Sequence, residues 1–121
     1  MSQKTLLIVD DSKVSRMMMK AIIKDMDPNI RVLEAESADE AEQKIENSEV
    51  DYFSIDLNMP GRNGIELIET LKPNHANSMF ALFTANIQDS THEKCASLGV
   101  QCVNKPITEE SVSIMMEYFN G

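Results

Sequence analysis

Polar groups capable of phosphoryl chemistry follow four apolar segments of the chain. They are Asp10 and Asp11, Asp56, Thr84 and Lys105. Three carboxylates that share one pocket repel one another unless a hard divalent cation shares their charge, and Mg²⁺ prefers such oxygens together with water and phosphate. One carboxylate could then attack phosphorus to form an aspartyl phosphate, which a nearby ammonium and hydroxyl would stabilise. The residue types therefore predict magnesium-dependent phosphoryl transfer, provided that the fold brings them together.

The most informative carboxylate is Asp56, because it ends the β-favouring run Tyr52–Ile55. The residues that follow include Pro60, Gly61 and Gly64, which cannot extend a central strand. A carboxylate at the end of a buried strand is costly to keep ionised unless a cation or hydrogen-bond donors meet it, and this makes it a candidate for chemistry. The alternative is that Asp56 caps the following helix. Taken alone, this stretch leaves both interpretations open.

Alternating strand and helix patterns are expected to position these groups. Strands are predicted at Thr5–Val9, Arg31–Ala35, Tyr52–Ile55, Met79–Phe83 and Val100–Val103. Each is followed by a segment with helical periodicity, and such alternation implies a parallel sheet with helices on both faces and right-handed crossovers. In sheets of this kind the residues just past the carboxyl ends of the strands meet in one crevice. The fold rule alone therefore brings the candidate residues together.

The first helix, capped by Ser12, carries apolar residues at the spacing of one helical face. We expect this stripe to pack in the core, and its members are Val14, Met17, Met18, Ala21 and Ile22. Further helix starts are predicted from the capping residues Ser37, Ser90 and Thr108. The last helix should bury Val112, Met115, Met116 and Phe119.

Composition narrows the class of protein. A length of 121 residues is that of one domain, and the net charge of −9 argues against direct binding to nucleic acid, which depends on Lys and Arg. No apolar run approaches the ~20 residues of a membrane span, and no signal sequence is recognisable, so we expect a soluble cytoplasmic protein without membrane insertion. The two cysteines, Cys95 and Cys102, fit reduced core thiols better than a disulfide or a metal site.

Four motifs in order carry a resemblance to a known family. They are Val9–Ser12, Asp56–Gly64, Thr84–Ala85 and Lys105–Pro106. Together they make the whole chain, residues 1–121, resemble a receiver domain of the two-component response-regulator family, with the layout of the stand-alone chemotaxis regulators. Those regulators are among the standard examples of the strand-end rule, so the site placement is not independent of the resemblance. The resemblance implies a doubly wound, flavodoxin-like (βα)5 fold with strand order 2-1-3-4-5.

The resemblance also implies a metal site. Asp56 would be the phosphoacceptor, and Asp11 and Asp56 would be direct Mg²⁺ ligands. Asp10 would act mainly through a bound water, and the backbone carbonyl of Asn58 would complete the coordination by the protein.

A second group of residues would stabilise the phosphoryl group. By the resemblance, Lys105 pairs with Asp56 and then with a phosphoryl oxygen, while the Thr84 hydroxyl donates to another oxygen. The bond before Pro106 is usually cis in the family. The phosphodonor would be a partner histidine kinase, and the chain would be a switch with slow autodephosphorylation rather than an enzyme with turnover.

The residues that would pass the phosphorylation signal to a target depart from the family pattern. Three residues before Lys105 the family commonly carries an aromatic residue, and this chain has Cys102; Ile107 likewise replaces a common phenylalanine. The family's output face is formed by the fourth helix, fifth strand and fifth helix. On the last helix Ile114 and Tyr118 form a second apolar edge, four residues apart, which we expect, beside Cys102, to contact a target protein or a second copy of the domain.

Other functions are considered beside the switch. A phosphohydrolase of the haloacid-dehalogenase type also places an Asp nucleophile after a buried strand, but it normally has a second acid where this chain has Asn58. A nucleotide- or flavin-binding module of similar layout would need a glycine-rich loop after the first strand, which is absent. A relay that passes phosphate to another histidine stays open. Because the chain starts at Met1 and ends just after a helix, we expect a free-standing protein.

Overall fold

Five parallel strands form a single sheet in the computed structural model, which describes residues 3–85 and 89–121. The strands are β1 (Thr5–Val9), β2 (Arg31–Ala35), β3 (Tyr52–Asp56), β4 (Met79–Thr84) and β5 (Gln101–Asn104). Their order across the sheet is β2-β1-β3-β4-β5, and every neighbouring pair is parallel. The predicted doubly wound arrangement and strand order are confirmed.

Helices cover both faces of the sheet. They are α1 (Lys13–Met26), α2 (Ala38–Glu46), α3 (Gly64–Leu71), α4 (Asp89–Leu98) and α5 (Glu109–Asn120), with a short 3₁₀ turn at Lys72–Asn74. One hydrophobic cluster joins the sheet to α2, α3 and α4, and a second joins it to α1 and α5. Within the described residues, no helix has the length and apolar character needed to cross a membrane.

The burial of β1 shows why its sequence is a continuous apolar run. Leu7 and Val9 belong to the cluster on one face, and Leu6 and Ile8 belong to the cluster on the other face. Successive side chains of a strand point to opposite faces, so a strand covered on both sides must be apolar at every position. Each such side chain contributes roughly 1.5–3 kcal/mol by burial.

The structure confirms three of the predicted N-terminal helix caps and contradicts a fourth. Ser12, Ser37 and Thr108 each accept a backbone N–H three residues later, as predicted. The helix α4 begins at Asp89, so the prediction that Ser90 caps it is wrong. The Ser-x-x-Glu pattern also occurs inside a first turn, and the sequence does not distinguish the two positions.

The predicted inner face of α1 is also wrong. Val14, Met17 and Met18 are 65%, 58% and 47% exposed, and Ala21 is exposed as well. Of the predicted stripe only Ile22 is half-buried; the fully buried residues are Met19 and Ile23. The helix is rotated because Arg16, a polar residue, has contacts on the inner side that are described below. An exposed apolar stripe, Val14-Met17-Met18-Ala21, therefore runs along α1.

Candidate active site at the carboxyl edge of the sheet

The carboxyl ends of the strands hold the predicted site residues. Both β3 and β4 extend one residue further than predicted, so that Asp56 and Thr84 are their last residues; β5 is shifted one residue later, and Lys105 follows it directly. Backbone pairing continues past the strands, because the amide of Leu57 donates to the carbonyl of Phe83 and the amide of Lys105 donates to the carbonyl of Thr84, both at 2.9 Å. The start of the loop after Asp56 and the backbone of Lys105 are thus fixed by the sheet itself.

Three carboxylates converge at this edge. Asp10, Asp11 and Asp56 each offer an oxygen, and these oxygens lie within 4.8 Å of one another. Asp10 and Asp56 are each only 4% exposed, whereas Asp11 is exposed at the mouth of the site. Oxygen donors in this number and spacing suit a divalent cation such as Mg²⁺, which keeps several waters.

The buried carboxylate of Asp56 contacts the ammonium of Lys105. The distance from Lys105 Nζ to Asp56 Oδ1 is 2.7 Å. Within residues 3–85 and 89–121, Oδ1 has no hydrogen-bond donor besides this contact with Lys105. Burial raises the pKa of Asp56, Lys105 opposes that rise, and the charges of Asp10 and Asp11 add to it. The negative charge of the site therefore favours binding of a further cation.

Two hydrogen bonds hold the loop that carries Asp10, one to its side chain and one to its backbone carbonyl. The amide of Ser12 donates to Asp10 Oδ1 at 2.9 Å, and burial nevertheless raises the pKa of Asp10. Arg16 Nη1 donates to the carbonyl of Asp10 at 2.6 Å, and Arg16 Nε donates to Glu34 Oε1 on β2 at 3.1 Å. Sequence reasoning missed Arg16, although a lone arginine in the first turns of an apolar helix was a signal available for it.

The helix α3, which follows Asp56 in the chain, starts with its own cap. The side chain of Asn63 accepts from the amide of Glu66, and the side chain of Glu66 accepts from the amide of Asn63, both at 2.9 Å. The alternative that Asp56 caps this helix is therefore wrong.

Gly64, at the start of α3, lies against the backbone of Asp56. A Cβ atom there would be 2.5 Å from the carbonyl oxygen of Asp56 and 2.7 Å from Leu82 Cδ1. Sequence reasoning treated Gly64 as a residue that cannot extend a strand and as the end of the Asp56–Gly64 motif. In the structure, the missing side chain allows this close approach.

The remaining predicted residues lie near the cluster. Thr84 is fully buried at the end of β4, which pairs with β3. Asn58 is exposed in the loop two residues beyond Asp56. The Lys105–Pro106 bond is cis, as the resemblance implied. The geometry brings the carboxylates and the ammonium together, and the individual roles stay predictions.

The family is shown by comparison with known proteins. The family model of the response regulator receiver domain matches residues 6–117, and the chain belongs to this family. The resemblance drawn from the four motifs is confirmed. Receiver domains act as phosphorylation-dependent signalling modules, and they bind Mg²⁺ at an acidic cluster of the kind formed here.

The relatives differ in name and in the share of their length that this chain covers. The chain is 30% identical over 116 residues to chemotaxis protein CheY of Halobacterium salinarum, covering 90% of both chains. It is 29% identical over 115 residues to a cyclic di-GMP phosphodiesterase of Thermotoga maritima, covering 94% of this chain but 30% of that protein. The structure of chemotaxis response regulator CheY4 of Vibrio cholerae matches with a TM-score of 0.85 at 21% identity, covering 98% of this chain and 99% of that one. The chain spans less than half the length of several curated relatives.

We expect the metal-free protein to become more stable to unfolding when one of the buried carboxylates at this site loses its charge. Burial raises the pKa of both Asp10 and Asp56, so the folded state binds protons more readily than the unfolded state. These two groups should therefore make the metal-free protein more stable as pH falls from neutral through their raised pKa values. We expect Asp10→Asn to stabilise it by about 1–3 kcal/mol at neutral pH, because the amide oxygen still accepts from Ser12 without carrying charge.

Urea melts in a chelator, at neutral and mildly acidic pH, would measure this. Asp11→Asn is the matched control, since its carboxylate is exposed and should give a smaller gain. A variant Asp10→Asn that is less stable than wild type at neutral pH, or that keeps the full pH dependence, would contradict the prediction.

Proposed function

We propose that this chain is a phosphorylation switch that accepts a phosphoryl group on Asp56 from a histidine kinase and thereby changes its affinity for a target protein. The observation that carries the proposal is the buried acceptor carboxylate, 2.7 Å from Lys105 and grouped with two further carboxylates. On this proposal residues 1–121 act as one receiver domain in the cytoplasm.

Each member of the site has a role in the proposed transfer. Asp10, Asp11 and Asp56, with the carbonyl of Asn58, would hold Mg²⁺. When bound, the ion would neutralise the clustered carboxylates and polarise the phosphoryl oxygens. The residues fit it, because Asp56 Oδ1 is buried and, apart from its contact with Lys105, has no hydrogen-bond partner in the described part of the chain.

The transfer itself forms one bond and breaks another. A carboxylate oxygen of Asp56 attacks phosphorus while the phosphorus–nitrogen bond of the donor phosphohistidine breaks, and the imidazole of the donor retains the electron pair and takes up a proton. Lys105 then moves from the carboxylate to a phosphoryl oxygen, and the Thr84 hydroxyl donates to another. Incubation with acetyl phosphate and Mg²⁺, followed by intact-mass measurement, tests the proposal; failure to gain a phosphoryl group overturns it.

We propose that the chain accepts and slowly loses its own phosphoryl group and does not turn over a separate substrate. Asn58 stands where an aspartyl phosphohydrolase would carry its second acid, so water activation for rapid release lacks a base at that position. Sustained hydrolysis of an added phosphate ester, with many turnovers per chain, would refute this part of the proposal.

We propose that the donor approaches over α1. A groove of about 500 Å³ beside the acceptor has walls from α1 and from the loop after β5, and it is lined by Ser15, Met18, Ala85, Lys105, Pro106 and Ile107. Met18 also belongs to the exposed stripe of α1. A donor helix lying on this stripe would bring its histidine to the mouth of the site, where Asp56 is otherwise enclosed.

A substitution on this stripe should slow phosphorylation by the kinase but leave phosphorylation by acetyl phosphate unchanged. Met18→Gln keeps the length of the side chain and removes apolar contact, and we expect phosphorylation by the kinase to slow roughly tenfold, equivalent to about 1.4 kcal/mol. Phosphorylation by acetyl phosphate should be unchanged, since it needs no docking. Met26→Gln is the matched control at the far end of the same helix, where Met26 is also exposed. Equal slowing with both donors would place Met18 in the chemistry instead.

We propose that output uses α4, β5 and α5. Ile114 is 44% exposed, and it lines a groove of about 410 Å³ together with Cys102, Thr108 and Ser111. The predicted partner residue Tyr118 is half-buried, packs against the core, and directs its hydroxyl towards the carbonyl of Gly99 at 3.5 Å. Ile114 is therefore the stronger candidate for direct contact.

Binding of the activated form should depend on Ile114. A pull-down with beryllofluoride, a phosphoryl mimic, would identify the target, and Ile114→Ser should weaken its capture several-fold without affecting phosphorylation. Val14→Ser, at an aliphatic site on α1 that is even more exposed (65%), serves as the control. Undiminished capture by Ile114→Ser, and by the double variant with Tyr118→Ser, would exclude this edge.

A further inference from the structure

Three groups with sulfur or imidazole chemistry lie between α4 and β5. His92 and Cys95 are three residues apart on α4, so they share one face of the helix. Cys102 belongs to β5, and its Sγ lies 3.9 Å from Nε2 of His92. The switch proposed above uses none of these side chains for its phosphoryl chemistry.

The two thiols differ in exposure but lie side by side. Cys95 is buried in the cluster that joins α4 to the sheet, and Cys102 packs against that cluster. Burial first, and then the charge and hydrogen bonding of the neighbouring Cys102 thiol, raise the pKa of Cys95 to about 12. Cys95 is thus protected from reagents in solvent. Cys102 is half-buried and opens into the groove of about 410 Å³ that also contains Ile114.

We propose that Cys102 is an oxidant-reactive thiol, that hydroperoxides are its oxidant class, and that Cys95 resolves the oxidised form to a disulfide linking α4 to β5. His92 supplies the base, because its Nε2 lies 3.9 Å from the Cys102 sulfur. An accessible first thiol beside a shielded second one is the arrangement that this two-step chemistry requires.

The reaction balances with one hydroperoxide per disulfide. The Cys102 thiol gives its proton to His92 and its sulfur attacks the peroxide, so that an S–O bond forms as the O–O bond breaks. The leaving oxygen takes the proton from His92 and departs as water or an alcohol. The sulfur of Cys95 then attacks the resulting sulfenic acid, the S–S bond forms, the S–O bond breaks, and hydroxide leaves with the proton of Cys95 as water. The two thiols lose two electrons, and the hydroperoxide gains them.

The disulfide would restrain the surface that the proposed function uses for output. Cys102 occupies the position at which related domains commonly carry an aromatic residue, and its neighbour in the groove is Ile114. A covalent link there holds α4 against β5. Resting on the proposed function, we infer that oxidation leaves the acceptor chemistry intact and weakens the response of the output face to phosphorylation.

Hydrogen peroxide titration of the full chain tests the modification directly. After treatment, free thiols are alkylated and the intact mass and linked peptides are measured. The wild type should lose both alkylation sites together, with the loss of two hydrogen atoms and no intermolecular product. Cys95→Ala should instead accumulate a sulfenic acid on Cys102 that dimedone traps, and Cys102→Ser should keep the Cys95 thiol intact.

The base is tested by a matched pair of histidine variants. His92→Gln should slow oxidation of Cys102 by about tenfold, whereas His75→Gln, at the other histidine of the chain, should not. Independent reaction of the two thiols, a disulfide between chains, or equal rates in both histidine variants would overturn the proposal. These readouts need no phosphorylation, so they stand or fall separately from acceptance of phosphate by Asp56, which is measured on oxidised and reduced samples in parallel.

Discussion

Acetyl phosphate and Mg²⁺ should add one phosphoryl group to the wild-type chain and none to Asp56→Asn. The amide is isosteric with the carboxylate but is not nucleophilic, so the covalent step is lost while the pocket is retained. Asp56 is the carboxylate that contacts Lys105, and its oxygen lies within 4.8 Å of oxygens of Asp10 and Asp11. Intact-mass spectrometry measures the added group, and the expected effect is complete loss.

The control for this result is Asp25→Asn, which makes the same chemical change at an exposed position of α1. It should be modified like the wild type. Full modification of Asp56→Asn would assign the acceptor to another residue. A variant that neither binds Mg²⁺ nor melts cooperatively would be replaced by Asp56→Glu, which retains charge and should still accept poorly because the longer side chain shifts the attacking oxygen.

Substitution of Gly64 by alanine should have the largest effect on stability. The new Cβ would meet the carbonyl oxygen of Asp56 at 2.5 Å, and backbone cannot move aside as a flexible side chain can. Alanine favours a helix by about 1 kcal/mol over glycine, but the enforced displacement of α3 should outweigh this and leave a net loss of roughly 2–3 kcal/mol. Because the displaced atom belongs to the acceptor residue, phosphorylation should also slow. Urea melts and acetyl phosphate kinetics measure the two effects.

Gly61→Ala separates backbone strain from steric contact. Gly61 has φ of 77°, and a Cβ added to it would have no described atom within 4 Å, so alanine there costs about 1–2 kcal/mol from the left-handed conformation alone. It should leave the acceptor rate unchanged. Wild-type stability in Gly64→Ala would show that α3 moves away from the acceptor at no cost.

The sheet and its site could be predicted because they depend on patterns that are local in the sequence. Apolar runs such as Thr5–Val9 mark strands covered on both faces, and strict alternation with helices fixes parallel pairing. Once the strands are parallel, Asp10, Asp56 and Lys105 must share one edge, whatever the details of the loops. The strand order itself came with the family resemblance.

The details that failed depend on contacts between distant residues. The rotation of α1 follows from Arg16, whose guanidinium reaches the carbonyl of Asp10 and the carboxylate of Glu34. Apolar periodicity alone selected the opposite face, because Val14, Met17 and Met18 fit a helical stripe equally well whether or not a sheet covers them. The close contact of Gly64 with Asp56 likewise has no local signature beyond the glycine itself.

Because the strands of the sheet come from all parts of the chain, the pocket can be complete only late in the synthesis of the protein. Asp10, Asp56 and Lys105 come from the β1, β3 and β5 regions, so the pocket contains residues from the beginning, the middle and the end of the chain. A ribosome delivers the lysine only after nearly the whole chain has been made, and β5 pairs with β4 rather than with any earlier strand. Nascent or truncated chains therefore carry Asp56 without the ammonium that faces it. On the proposed function, such chains are expected to be poorer acceptors of the phosphoryl group than finished molecules.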